Sequence, residues 1–231
     1  MASRNATIEH TGVATTLAKP FVWLYSAIIG VFLVLVWMLL VNLWFMHGVW
    51  PAGHRLETVA AVLDSDLAVA PRPLADRLGD LTYAAIFRAS GLEGAITAAT
   101  MPGAKLSGAD ETLIRVFVVP YGEEIAIVMQ SARLLGVRLA ILVQVFLVGL
   151  VAIGAALVDG LVQRYIRREG AGRESANLYH RAKYLQLVGG LLVAMLYITV
   201  PVAIDPRWLF AWVGMAALLA FVQGKYYKKY L

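Results

Sequence analysis

The chain has no cysteine and few charged residues, and each shortage excludes classes of protein. Without cysteine it forms no disulfide, offers no thiolate nucleophile and builds no cysteine-based zinc or iron–sulfur site. Charged residues make up 15% of its 231 residues, whereas they make up about 25% of ordinary soluble domains. Apolar residues make up 60%, and they fall in long blocks. The composition therefore argues against a soluble enzyme and indicates a membrane protein.

The common catalytic and metal-binding motifs are also missing from the sequence. It contains no H-E-x-x-H, no G-x-S-x-G and no P-loop. Gly170-x-Gly172 lacks the third glycine of a dinucleotide fingerprint and follows no predicted strand, so we interpret it as a turn. His47 and His54 lie two helical turns apart and near Glu57, and we interpret them as solvated or capping residues. We therefore expect no enzymatic activity, no metal and no cofactor.

Four apolar runs predict transmembrane helices. The first, residues 21–46, carries no formal charge and exceeds the roughly 20 residues that span a hydrocarbon core. It is too long for the apolar region of a cleaved signal peptide, which has about 7–15 residues. The other predicted spans are residues 139–158, 185–204 and 208–224, the last two joined by a turn at Asp205-Pro206-Arg207. Because the last run is short, a re-entrant or interfacial helix is the alternative there.

Small residues spaced four apart within the spans predict close helix packing, either within the molecule or between subunits. They are Ser26 and Gly30, Gly190 and Ala194, and Ala216, Ala220 and Gly224. No Asp, Glu, Lys or Arg lies within a predicted span, which argues against ion or proton transport. We expect the two polar residues Asn42 and Gln144 to make interhelical hydrogen bonds.

The distribution of basic residues predicts the orientation of the chain. The segment 159–184 carries six Lys or Arg, and the N-terminal arm (residues 1–20) and the tail (residues 225–231) are also basic. By the positive-inside rule, these three regions face the cytoplasm, and residues 47–138 lie outside. The net charge of +5 is thus first a sign of topology and not of nucleic-acid binding.

Residues 47–138 are expected to form a small, mainly helical extracytoplasmic domain. Apolar residues at three- and four-residue spacing predict its helices, and Pro71 and Pro73 are expected to end the first of them. The pattern predicts helices over residues 56–67 and 74–88, a loop over 97–108, a helix start at 110–112, and a last helix that begins at Glu123 and runs into the second span.

The basic segment 159–184 is the most distinctive part of the sequence. Its first half is expected to extend the second span, and its glycines are expected to break the helix before a second helix leads into the third span. Attraction to anionic lipid explains its charge, and docking of a cytoplasmic partner is the sharper hypothesis. Direct DNA binding is disfavoured because no groove-reading module is present. The candidate docking residues are Arg164, Arg167, Arg168, Arg173, Glu174, Tyr179, His180, Arg181 and Lys183.

Several motifs in and before this segment carry a resemblance to a known family. They are V-D-G-L-V-Q-R at 158–164, G-A-G-R-E-S at 170–175 and Y-H-R-A-K at 179–183, preceded by G-V-R-L-A at 136–140. The sequence resembles membrane proteins of integrating conjugative elements that are classified as domain of unknown function 4400. The resemblance covers the basic segment closely and, through the order of spans, most of the chain. Tyr165, Ile166 and Glu169 depart from it, where Asp, Leu and an aromatic residue are expected.

The resemblance implies an inner-membrane component of a bacterial conjugative system that works beside a type IV secretion channel or its coupling ATPase. We therefore expect an all-α membrane protein with four transmembrane helices and a helical extracytoplasmic domain between the first two. Its expected function is that of a non-enzymatic accessory or structural subunit of the DNA-transfer apparatus, in contact with anionic lipids and other secretion proteins. A small transporter or channel subunit is the alternative, and whether the chain forms a homo-oligomer stays open.

Overall fold

The computed structural model describes residues 13–51, 53–100, 112, 116, 118, 120–170 and 176–227. Among these residues there is no strand, and the all-α prediction is confirmed for this part of the chain. The helices are α1 (Val13–Gly48), α2 (Arg55–Val69), α3 (Arg72–Tyr83), α4 (Leu92–Thr100), α5 (Gly122–Glu169), α6 (Ala176–Thr199) and α7 (Arg207–Tyr226). A π-helical turn, Ala84–Arg88, continues α3 where a plain helix to residue 88 was predicted.

Three of the described helices are long and apolar enough to cross a membrane, namely α5, α6 and α7. They contain the second, third and fourth predicted spans. The short last run is 20 residues of continuous helix in α7, so its length is sufficient for a crossing. The first predicted span lies in α1, where the described apolar stretch is Phe32–Gly48, shorter than a full span. The predicted count of four is therefore not confirmed.

Helix α5 is the element on which the others assemble. Its 48 residues extend about 72 Å, so the predicted span 139–158 is only its middle. It begins at Gly122, next to the predicted start at Glu123, and its first turn contains Glu123 and Glu124, where the helix dipole favours negative charge. Its last residue is Glu169 and Gly170 is its C-cap, so the helix breaks at the glycine where a break was predicted.

In the apolar half of the molecule, α7 packs along α5 through small residues. A Cβ placed on Gly160 would lie 2.4 Å from the Phe221 carbonyl oxygen, and one on Gly224 would lie 2.7 Å from the Leu157 carbonyl oxygen. Ala216 and Ala220 are buried on the same face of α7. The small-residue pattern of the fourth span therefore serves packing within the molecule, whereas none of the residues that the structure describes lies within 4 Å of a Cβ placed on Gly30.

In the other half, α2 and α3 pack on the first turns of α5. Helix α3 crosses α5 so closely that a Cβ on Gly136 would lie 2.3 Å from the Leu78 carbonyl oxygen. Thr82 Oγ1 donates a hydrogen bond of 2.7 Å to the Ala132 carbonyl across this crossing. The prolines divide α2 from α3: Pro71 is the N-cap of α3, and Pro73 lies in its first turn, where the missing N–H is tolerated.

Four local predictions need correction or lie outside the described residues. Helix α4 runs to Thr100 and so includes residues 97–100, where a loop was predicted. The rest of that loop and Asp110-Glu111 lie outside the described residues. Gln144 is exposed on α5 and is not a buried polar residue. Asn42 is buried, but its amide donates to the Met38 carbonyl of its own helix at 2.8 Å and not to another helix.

The α3–α5 crossing predicts a large effect from one methyl group. Gly136→Ala inserts a Cβ into the α3 backbone, and we expect it to lower the unfolding free energy by about 3 kcal/mol. The thermal midpoint in detergent should fall by about 10 °C.

Gly154→Ala is the matched control, because Gly154 lies on the same helix and nothing is within 4 Å of its Cβ position. It should leave the midpoint unchanged or raise it slightly, since alanine favours helix. Equal midpoints for the two variants would contradict the close crossing.

Candidate functional site

The predicted docking residues lie where three helix ends meet. We call this region the hairpin end: the last turns of α5 (residues 160–170), the first turns of α6 (residues 176–186) and the last turns of α7 (residues 221–227). Arg167 and Arg168 lie in the last turn of α5, where cations interact favourably with the helix dipole. Arg173 and Glu174 lie outside the described residues, so seven of the nine candidates can be placed.

Two of the seven, Arg164 and Arg167, bind within the molecule. Arg167 Nη2 donates a hydrogen bond of 2.6 Å to the Lys225 carbonyl, which is one of the free carbonyls at the end of α7. The Arg167 guanidinium lies 4.5 Å from the centre of the Tyr226 ring, and that of Arg164 lies 5.4 Å from the centre of the Tyr227 ring. Cation–π contacts of this kind join the end of α5 to the end of α7.

Tyr179 adds α6 to this arrangement. Its ring is half-buried and lies edge-on to Tyr227, with the two centres 5.8 Å apart, and edge-on to His180 at 5.3 Å. Two turns from Tyr179 on α6 and one turn from Tyr227 on α7, the side-chain amides of Gln186 and Gln223 are hydrogen-bonded to each other. Aromatic and amide contacts therefore hold all three helix ends in a fixed arrangement.

The remaining four candidates face solvent. They are Arg168 at the end of α5 and His180, Arg181 and Lys183 on α6, all of them exposed. Among the described residues, no carboxylate forms an ion pair with any of the four. The structure thus separates the predicted set into an internal group that positions the helix ends and an exposed group of three cations and one histidine that is accessible to a ligand or partner.

A buried ion pair at the opposite end of the bundle was not predicted. Asp66 of α2 and Arg138 of α5 are 1% and 0% exposed, and Asp66 Oδ2 accepts a 2.7 Å hydrogen bond from Arg138 Nε. Arg138 Nη1 donates to the Tyr197 and Val200 carbonyls at 2.7 and 2.6 Å, and Nη2 donates to the Val202 carbonyl at 2.7 Å. The guanidinium therefore joins α2 and α5 to the end of α6 and the turn that follows it.

The surroundings of this pair determine its charge. Burial raises the pKa of the Asp66 carboxyl, and the charge of Arg138 and its hydrogen bond oppose that rise. An arginine side chain stays protonated in a protein. The carboxylate and the carbonyl oxygens therefore provide the hydrogen-bond acceptors that water would provide for an exposed guanidinium. Because the site is sealed and its guanidinium N–H groups have acceptors, it acts as a structural clamp and not as an ion pathway.

A sequence signal for the clamp exists in retrospect. Arg138 was taken as the boundary of the second span, whereas it lies inside a continuous helix with apolar neighbours on both sides. A charge inside such an apolar pattern requires a buried partner, and the acid that supplies it lies 72 residues earlier in the chain. That separation in sequence hides the pair from any local pattern.

The described residues hold no group of three or more His, Cys, Asp or Glu that could bind a metal ion. His54 Nδ1 and Glu57 Oε2 lie 2.9 Å apart on the exposed start of α2, and His47 is exposed in the last turn of α1. The expected absence of metal and cofactor stays a prediction.

Three long apolar helices with a cationic end fit the class of multi-pass membrane proteins. A family model described as IncC plasmid conjugative DNA transfer protein DtrJ-like matches residues 57–223, and the chain belongs to this DtrJ-like family. The match supports the conjugative context of the resemblance noted above, although it does not confirm the particular family named there. Searches among curated proteins and among solved structures found no match.

The clamp formed by Arg138 and Asp66 predicts that the contributions of these two residues to stability are coupled. Removing one member of a buried ion pair costs about 3–5 kcal/mol, so Arg138→Met or Asp66→Leu alone should lower the thermal midpoint in detergent by about 10 °C or more. The double variant should lose less than the sum of the two single losses, which a double-mutant cycle measures.

The two single variants should differ in their response to pH. In Arg138→Met, nothing opposes the raised pKa of Asp66, so the carboxyl takes a proton and loses its charge as the pH falls through that value. Stability should therefore rise as the pH falls from this raised pKa towards the ordinary value of 3.8. Asp66→Leu leaves a guanidinium that stays charged and should show no such gain. Additive losses together with parallel pH profiles would disprove the clamp.

Proposed function

We propose that the chain is a non-enzymatic accessory subunit of a conjugative DNA-transfer apparatus in the bacterial inner membrane. It docks an acidic surface of a cytoplasmic partner through Arg168, His180, Arg181 and Lys183. One observation supports this proposal most directly. At the hairpin end, Arg164 and Arg167 are bound to other residues of the chain, whereas these four side chains are exposed. The DtrJ-like family match supports the conjugative role.

The contacts of the hairpin end support docking over a diffuse attraction to lipid. The three cations Arg168, Arg181 and Lys183, with His180, come from two helices whose ends are joined through Arg167, Tyr179 and Tyr227. Such a preorganised cationic surface loses little conformational entropy when a partner binds, and complementary charge speeds and directs the encounter. A coupling ATPase of a type IV secretion system is the kind of partner that this proposal implies.

The transporter alternative gains no support from the buried charges. Arg138 and Asp66 lie at the end of the bundle opposite the hairpin end, and both are sealed from solvent. An ion pathway would require such groups to face a water-filled cavity.

The proposal includes an orientation in which α1 is the fourth span and both termini are cytoplasmic. Because the chain has no cysteine, single cysteines report their own location. We expect a membrane-impermeant maleimide to label Asp76→Cys in intact spheroplasts, and Arg4→Cys and Arg168→Cys only after permeabilisation.

Each contrary pattern in this labelling experiment has one meaning. Labelling of Arg4→Cys together with Asp76→Cys in intact spheroplasts would show that α1 does not cross the membrane. Labelling of Arg168→Cys without permeabilisation would invert the proposed orientation.

The docking role predicts a specific effect of charge reversal. The double variant Arg168→Glu/Arg181→Glu should reduce recovery of the cytoplasmic partner and the frequency of DNA transfer by about tenfold or more, since 1.4 kcal/mol of lost binding is tenfold in affinity. Arg77→Glu, an exposed cation on α3, is the matched control and should transfer DNA normally.

Reversing charges near a span can also change its orientation, so the double variant is labelled at an added Asp76→Cys to verify its topology. Normal transfer by a correctly oriented double variant would refute the docking role. Equal losses in the double variant and in Arg77→Glu would refute it as well, since the effect would not belong to the hairpin end.

A further inference from the structure

An apolar groove of about 590 Å³ opens between α5 and α6, with α7 as its floor. It exists because α7 packs closely against both helices while α5 and α6 touch each other little. Small residues on its walls, Gly149 on α5 and Gly190 and Ala194 on α6, leave the space unfilled. The groove volume lies within the range of about 300–1,000 Å³ that is typical of ligand sites.

One end of this groove is cationic. Lys183, exposed near the start of α6, is the one charged residue among those that line it, and Gln186 lines it one turn further on. The other lining residues are apolar, with Phe146 and Leu150 on one wall and Trp212 on the floor. The groove therefore combines a positive mouth with a long apolar body, as an amphiphile with an anionic head requires.

The length of the groove matches half a bilayer. On α6 it runs from Lys183 to Ala194, a separation of eleven residues, or about 16 Å along the helix. One leaflet of the hydrocarbon core is about 15 Å thick. An acyl chain that lies in the groove would thus reach from the mouth to the bilayer midplane.

We infer that this groove binds one anionic phospholipid from the leaflet on the Lys183 side, with an acyl chain in the groove and the phosphate at the Lys183 ammonium. The inference requires membrane insertion, and it shares only Lys183 with the proposed docking surface.

Native mass spectrometry of the full chain in detergent tests the lipid site. Dioleoylphosphatidylglycerol is the anionic probe, and dioleoylphosphatidylcholine is the probe without net charge. We expect one phosphatidylglycerol to be retained per chain in preference to phosphatidylcholine, and Lys183→Gln to reduce that preference about fivefold. Arg181→Gln is the matched control, since it removes an exposed cation two residues away that does not line the groove.

A second variant tests the apolar body. Ala194→Leu fills the groove and should reduce retention of both lipids, and circular dichroism with size-exclusion chromatography verifies that it folds. Equal effects of Lys183→Gln and Arg181→Gln, or undiminished retention by a folded Ala194→Leu protein, would overturn the inference. A dimer mass with no retained lipid would overturn it too, because a second copy would then cover the groove.

Discussion

The ion pair of Arg138 and Asp66 joins three helices at a single buried point. The guanidinium binds a carboxylate on α2, belongs to α5, and donates to carbonyls at and beyond the end of α6. A helix end leaves carbonyls without partners, and in a poorly hydrated setting each one needs a donor. The arrangement therefore has two effects. The carboxylate and carbonyl oxygens accept hydrogen bonds from a buried cation, and that cation donates to carbonyls that have no partner within their own helix. The ion pair thus adds a polar contact to the packing of α2 on α5.

The hairpin end repeats this arrangement on a smaller scale. There Arg167 donates to a carbonyl at the end of α7, the Tyr226 and Tyr227 rings lie against Arg167 and Arg164, and Tyr179 of α6 packs on Tyr227. Both ends of the bundle thus use an arginine of α5 to close the terminus of another helix. The difference is exposure: the Arg138 site is sealed, whereas the hairpin end leaves further cations in solvent. That difference explains why we assign stability to one end and recognition to the other.

Local patterns predicted the helical class, the apolar runs in α5, α6 and α7, and the break at Gly170, because each depends on residues close together in sequence. They also predicted the basic residues of the hairpin end, but not their division, since the role of Arg167 depends on a carbonyl 58 residues away. The glycine contacts of Gly136 and Gly160 were missed for the same reason: a glycine shows its packing role only when the crossing helix is known. The prolines were predicted to end the first helix, and α2 ends before them at Val69, whereas α3 begins at Arg72, two residues before its predicted start, because a proline is tolerated in the first turn of a helix.

The uninterrupted course of α5 has a mechanical consequence. At about 72 Å it is more than twice as long as the hydrocarbon core is thick, and the interior of the helix contains no proline and no break. A rotation of the helix at Arg168 would therefore be transmitted to Arg138, because no break between the two residues allows one part of the helix to turn separately from the other. A partner bound at the cationic end and a partner bound at α2 or α3 would therefore be connected through one continuous helix.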